Sequence, residues 1–282
     1  MTCSGEEMPR APLYLTMHEF RTVEVSDPRF ERDHLRVFTV KSSYLKGRAD
    51  VCVFIPHGIA PAESLPVVIL LHGVYGSAWS WPLKSGVHIR LLEKIHAGEL
   101  PPMVLAMPSD GLWGDGSGYL SHHGMDFDRW IAEELPQLLY QHVPGVDHRS
   151  PFFISGLSMG GFGALQLGVR YSSLFKAISA HSSLTRIDQM KLFVEEDLSL
   201  YQQEEQWKES IFETIMRHRK TLPAIRFDCG RQDQLIEANR ELHHQLMNEG
   251  ISHVYEEFDG GHEWPYWEKH VMDSLVYFSK QF

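Results

Sequence analysis

Cysteine, basic charge and long apolar runs are all scarce in this chain of 282 residues. Its three cysteines, Cys3, Cys52 and Cys229, are odd in number and far apart, which argues against a disulfide framework and for reduced thiols. Lys and Arg total 26 against 37 Asp and Glu, a formal net charge of −11. An acidic surface repels nucleic acid and anionic membrane, so neither is expected as a partner. No apolar run approaches the roughly 20 residues that span a bilayer. Met1 to Arg10 carries Glu6 and Glu7 with no apolar stretch behind it, unlike an export signal. A cytoplasmic location is the resulting expectation. The chain also lacks Gly-Lys-Ser and Gly-Lys-Thr, and no Gly-x-Gly-x-x-Gly opens a helix after a strand. The glycines Gly111, Gly114, Gly116 and Gly118 are therefore read as a loop wall and not as a phosphate cradle. Adjacent histidines such as His122–His123 and His243–His244 do not have metal-ligand spacing.

What is present is a hydrophobic fraction of 43%, enough for a sizeable core, without repeats or low-complexity tracts. Glu19 to Val25, Leu35 to Lys41 and Ala49 to Ile55 read as an antiparallel N-terminal edge. Strand-like runs then alternate with helical stretches: Val67 to Leu71, Met103 to Met107, Phe152 to Ser155, Lys176 to Ala180, Ala224 to Cys229 and Ser252 to Phe258. That alternation predicts an α/β fold with a mostly parallel sheet of about eight strands and helices on both faces. Residues 1–282 read as one domain. Pro136 is expected to kink or restart the helix after Asp126. Residues 183–222 exceed the simple alternation and read equally as a cap insertion or as an ordinary crossover with an acidic turn.

The chemistry is concentrated around Gly156-Leu157-Ser158-Met159-Gly160, which follows a β-rich run and precedes a helix expected over Phe162 to Tyr171. Strand, Gly-x-Ser-x-Gly and helix in that order make a nucleophile elbow, in which a strained turn presents the serine hydroxyl at the top of a sheet. A serine needs a base and an orienting acid. His262 lies in the loop after the last strand, in Asp259-Gly260-Gly261-His262. Asp233 lies in the loop after the preceding strand and is favoured over Asp228, which falls inside the strand pattern. Two backbone N–H groups must hold the developing oxyanion. Met159, after the nucleophile, supplies one, and the loop His72-Gly73-Val74-Tyr75-Gly76 supplies the other, with Val74 first choice and Tyr75 second. Ser, His, Asp and two N–H groups are a complete acyl-transfer set, so no metal or organic cofactor is expected. Aromatic residues in the flanking loops, Tyr75, Trp79, Trp81, Trp113 and Trp264, are candidates to line a pocket for an aromatic acyl group or a sugar ring.

Taken in order, Leu70-Leu71-His72-Gly73, Gly156-Leu157-Ser158-Met159-Gly160-Gly161, Cys229-Gly230 with Asp233, and Gly260-Gly261-His262 with Trp264 and Trp267 resemble the esterase D type of esterase within the α/β-hydrolase superfamily. The resemblance runs from about Val51 to the C-terminus. It implies an α/β-hydrolase fold, a catalytic triad at Ser158, Asp233 and His262, and hydrolysis of short-chain acyl esters, with feruloyl and acetylated-sugar esters within the family's range. The substrate implied is a small-molecule or saccharide ester. A thioester hydrolase of the S-formylglutathione type, or an acyltransferase, would use the same machinery. A homo-oligomer is compatible with the sequence.

Overall fold

The computed structural model describes residues 20–56 and 64–281; Cys3, the Met1–Arg10 segment and Glu19 lie outside them. Nine strands form one sheet: β1 Val23–Val25, β2 Leu35–Lys41, β3 Arg48–Phe54, β4 Val67–Leu71, β5 Val104–Pro108, β6 Phe152–Leu157, β7 Phe175–His181, β8 Ala224–Gly230 and β9 Val254–Phe258. Their order across the sheet is β1-β2-β3-β5-β4-β6-β7-β8-β9. The first three are antiparallel to their neighbours, and every pair from β5 to β9 is parallel. The sheet of nine matches the expected count of about eight, and the edge expected at Glu19 to Val25 is the short β1, held by three residue pairs to β2.

Strands β4, β5 and β6 are buried along their whole length, as expected where helices cover both faces of a parallel sheet. Alternate residues feed opposite cores. Val67, Ile69 and Leu71 enter one, together with α4 Met159–Arg170 and α6 Ile236–Asn248. Val68 and Leu70 enter the other, which is closed by α1 Ser80–Ser85, α2 Val87–His96 and α7 Trp264–Ser279. The helix after Asp126 is continuous in path but irregular: a turn at Phe127–Arg129 widens into a π-helical stretch, Trp130–Glu134, before α3 Leu135–His142. Pro136 has no N–H to give to the carbonyl four residues back; the irregularity ends beside it, so it restarts the helix. Residues 183–222 contain three 3₁₀ turns, Ile187–Leu192, Leu198–Tyr201 and Gln206–Glu209, and one short helix, α5 Ile211–Arg217. Cys52 and Cys229 are free thiols, both buried.

A fully buried polar network ties β7, β8 and α7 together below the carboxyl edge of the sheet. Asp228 accepts from Arg226 Nη1 at 2.6 Å and from the Tyr266 hydroxyl at 2.8 Å, and pairs with His181 Nδ1 at 2.8 Å. His181 Nε2 in turn pairs with Ser274 Oγ at 2.8 Å. Burial opposes ionisation of Asp228, but His181, Arg226 and the Tyr266 hydroxyl outweigh it and hold the carboxyl at about 2. A carboxyl whose pKa is lowered by folding stabilises the fold above its unfolded value near 4, and that contribution is lost as pH falls toward 2. Replacing Asp228 leaves a buried guanidinium without its nearest partner. Asp228→Asn is expected to lower the unfolding free energy at pH 7 by about 3–5 kcal/mol, with a smaller deficit at pH 3, measured by urea titration at both pH values.

Candidate active site

Ser158 sits between β6 and α4 with φ 56° and ψ −119°, a backbone conformation that non-glycine residues rarely adopt and that neighbouring structure must enforce. The enforcement is visible. The Ser158 N–H donates to the His181 carbonyl at 2.9 Å, and its own carbonyl accepts from Phe162 N at 3.1 Å. A side chain on Gly160 would stand 2.5 Å from the carbonyl oxygens of both Leu71 and His72, and one on Gly156 would stand 2.2 Å from the Gly160 carbonyl oxygen. Only bare backbone lets the helix back onto the end of β4 this closely.

The loops after β8 and β9 are laced to one another. Gln232 N–H donates to the Gly260 carbonyl at 3.0 Å, Gly260 N–H donates to Gln232 Oε1 at 2.7 Å, and Arg231 pairs with Asp259 at 2.8 Å. Asp233 is buried and is held by its Oδ1, which accepts from Leu235 N at 2.8 Å. The lacing brings Ser158, His262 and Asp233 into one hydrogen-bonded line: His262 Nε2 lies 2.9 Å from Ser158 Oγ, and its Nδ1 lies 2.9 and 3.1 Å from the two Asp233 oxygens. Asp228, the competitor within the strand, is occupied by the buried network and faces His181 instead. The imidazole of His262 is wedged between Phe193, stacked on it at 4.8 Å between ring centroids, and Trp267, edge-on at 4.9 Å.

Met159 is the first residue of its helix, so its N–H has no intrahelical partner. In the loop after β4, the Val74 N–H has no hydrogen-bond partner among the described residues, whereas the Tyr75 N–H donates to the Asp115 carbonyl at 2.7 Å. Of the two candidates in that loop, Val74 alone keeps a free donor. Gly73 puts the loop against Ser158, since a side chain there would lie 3.4 Å from Ser158 Cβ.

The five aromatic candidates separate. Tyr75 and Trp79 are exposed, at 62% and 46%. Trp264 is half-buried and, with Trp79, flanks the Lys84 ammonium at 5.2 and 5.8 Å. Trp81 is 1% exposed and belongs to the core, where its indole N–H donates to the Leu71 carbonyl at 2.9 Å. It braces the end of β4 and offers no face to a substrate. Trp113 is half-buried among His122, Phe127 and Tyr201, with ring centroids 4.4, 6.1 and 6.0 Å away. Sequence reasoning did not single out Phe193, which reads as one apolar residue among several at helical spacing. It also passed over Asp115, whose contacts depend on loop geometry that no local pattern encodes. Among the described residues no three His, Cys, Asp or Glu side chains cluster as metal ligands, and no helix is long and apolar enough to cross a membrane.

Comparison with known proteins agrees with this geometry. The acetyl esterase of Caldicellulosiruptor saccharolyticus is 29% identical over 237 residues, covering 78% of this chain and 85% of that protein. Among solved structures, a ferulic acid esterase superposes with a TM-score of 0.75 at 24% identity, over 92% of this chain and 99% of that one. An S-formylglutathione hydrolase from Staphylococcus aureus superposes with a TM-score of 0.73 at 16% identity, over 87% and 98% of the two chains. These two likenesses establish the α/β-hydrolase fold. The model of the family described as "Putative esterase" matches residues 42–278, most of the sequence and every residue of the site, and so the chain belongs to this esterase family and is a carboxylic ester hydrolase.

Proposed function

We propose that this protein is a serine carboxylesterase acting on short-chain acyl esters of the acetyl type, with Ser158 as nucleophile, His262 as base and Asp233 as orienting acid. The observation that carries the reading is the unbroken line from Asp233 through His262 to Ser158 Oγ, with 2.9 Å at each junction, beside two unoccupied N–H groups. In the first half-reaction Ser158 Oγ bonds to the ester carbonyl carbon while its proton passes to His262 Nε2. Asp233 accepts the Nδ1–H, fixing the tautomer and stabilising the imidazolium. The carbonyl oxygen, now anionic, takes hydrogen bonds from Met159 N–H and Val74 N–H. The carbon–oxygen bond to the alcohol then breaks, and His262 returns the proton to the leaving oxygen. Water repeats the sequence on the acyl-enzyme, giving the acid and free Ser158.

The 29%-identical acetyl esterase supports an acetyl-sized acyl group. Phe193, stacked on the His262 ring, supports a role for residues 183–222 as a roof over the site. Exposed Trp79 and half-buried Trp264 are the aromatic faces best placed to receive the alcohol portion.

Purified protein is expected to hydrolyse p-nitrophenyl acetate and butyrate faster than the octanoate, and to prefer these to S-formylglutathione. A preference for the thioester or for methyl ferulate would move the substrate assignment while leaving the machinery in place. Ser158→Ala is expected to lower kcat by about 10⁴-fold or more at unchanged fold, and Asp233→Asn by about 10⁴-fold through loss of the correct imidazole tautomer. Near-full activity of Ser158→Ala would refute the proposal.

A further inference from the structure

Asp115 lies at the centre of the Gly-rich loop Ser109 to Gly118 and is pinned at both its main chain and its side chain. Its carbonyl accepts the Tyr75 N–H at 2.7 Å. Its Oδ2 accepts the Tyr75 hydroxyl at 3.2 Å and the Glu195 N–H at 2.8 Å. Its own N–H donates to Glu196 Oε1 at 2.9 Å, and Glu196 Oε2 accepts the Tyr201 hydroxyl at 2.7 Å. Tyr201 closes the circuit by lying 2.9 Å from the Gly116 carbonyl. Burial, reinforced by Asp115 at Tyr75 and by Glu196 at Tyr201, pushes both phenols up, so both remain donors.

The loop that carries this latch touches both residues proposed as oxyanion donors, Met159 and Val74. A side chain on Gly116 would stand 2.5 Å from Met159 Sδ and 3.4 Å from Val74 Cα. Gly118 N–H donates to Met159 Sδ at 3.3 Å. Tyr75 has φ 56°, a conformation a tyrosine does not hold unless its surroundings hold it. The Asp115 carbonyl takes up the Tyr75 N–H and so pins the Val74–Tyr75 peptide. That unit adjoins the Gly73–Val74 peptide, which carries the Val74 N–H, and limits its rotation. An oxyanion donor is effective only when it is oriented before the charge develops.

We propose that Asp115 and Glu196 are positioning residues for the oxyanion loop: their carboxylates lock the Gly-rich loop to residues 195–201 and thereby hold the Val74 N–H in place. The inference rests on the assignment of Val74 and Met159 as oxyanion donors. Neither carboxylate touches the reacting atoms, and the effect is exerted on the transition state and not on ground-state binding.

The test uses the full chain carrying Asp115→Ala, Glu196→Ala and both together, with Asp115→Asn, which keeps a side-chain acceptor, as the conservative variant. With p-nitrophenyl acetate, each alanine variant is expected to lose about 10-fold in kcat, and the double variant about 30- to 100-fold, with KM within about 3-fold of the parent. Asp115→Asn is expected to restore most of the loss. A trifluoromethyl ketone, which forms an oxyanion on Ser158, is expected to lose affinity in parallel with kcat, while the thermal midpoint stays within about 2 °C. Unchanged kcat and ketone affinity in the double variant would overturn the latch, as would a loss of kcat that merely tracked a falling midpoint. If Ser158→Ala were active, the esterase reading itself would fail. If Ser158 were required and the double variant fully active, only the latch would.

Discussion

The carboxyl edge of the sheet depends on one close approach, that of helix Met159–Arg170 to the end of the strand Val67–Leu71. With no atom beyond Cα at Gly160, the helix start rests against the carbonyl oxygens of Leu71 and His72. This contact leaves Ser158 no room for an ordinary turn. The residue is forced to φ 56°, and the cost of that conformation, of order 1–3 kcal/mol, is met by the packing around it. The same approach brings the loop after that strand against Ser158 and leaves the first helical N–H exposed to it. The positions of Ser158, Met159 and Val74 thus follow from one steric constraint.

His262 and Asp233 depend on a different device. The Gly-x-Ser-x-Gly turn fixes Ser158 locally, but His262 and Asp233 reach it from loops separated from it by 104 and 75 positions in sequence. Their alignment comes from parallel pairing. Strands Ala224–Gly230 and Val254–Phe258 pair with Gly230 opposite Phe258, so their carboxyl ends finish at one level, two residues beyond His181, which lies opposite Asp228. The reciprocal bonds between Gln232 and Gly260 then set the last few tenths of an ångström. Below them, Asp228 joins His181, Arg226 and Tyr266, and so ties the strand beside the nucleophile to the helix that follows His262.

What the sequence made legible follows from how local each constraint is. The elbow was readable because strain, glycine spacing and strand-to-helix order all fall within a few residues. The strand Val67–Leu71 could be bounded to the residue, since its apolar run ends at a turn signal. The aromatic residues were not legible in the same way. Trp79 and Trp81 are two positions apart at the start of the helix Ser80–Ser85, yet one is 46% exposed and the other 1%. The difference arises from the partner that Trp81 finds in the Leu71 carbonyl, a contact with another element that neither period nor composition records. Phe193 and Asp115 were hidden for the same reason: their importance lies in what a distant loop places beside them.

The protein also contains a second hydrogen-bonded Ser–His–Asp line, Ser274–His181–Asp228, with distances of 2.8 and 2.8 Å. By residue type and spacing it equals the first, so distances alone do not make a nucleophile. Ser274, His181 and Asp228 are all fully buried, and Asp228 is shared with Arg226 and Tyr266, so its charge is already committed to partners that never leave. Ser274 lies within a helix, where backbone N–H groups are spent on the helix itself and none is left for a developing oxyanion. Ser158 is also buried, as is Asp233, but it differs in its backbone and in its imidazole partner. It stands at a helix start with an unspent N–H beside it, and its base lies on a loop with a half-buried imidazole. The proposal of Ser158 over Ser274 as nucleophile rests on the half-buried imidazole and on the availability of backbone donors, and both are properties of the turn and its loops rather than of the three side chains.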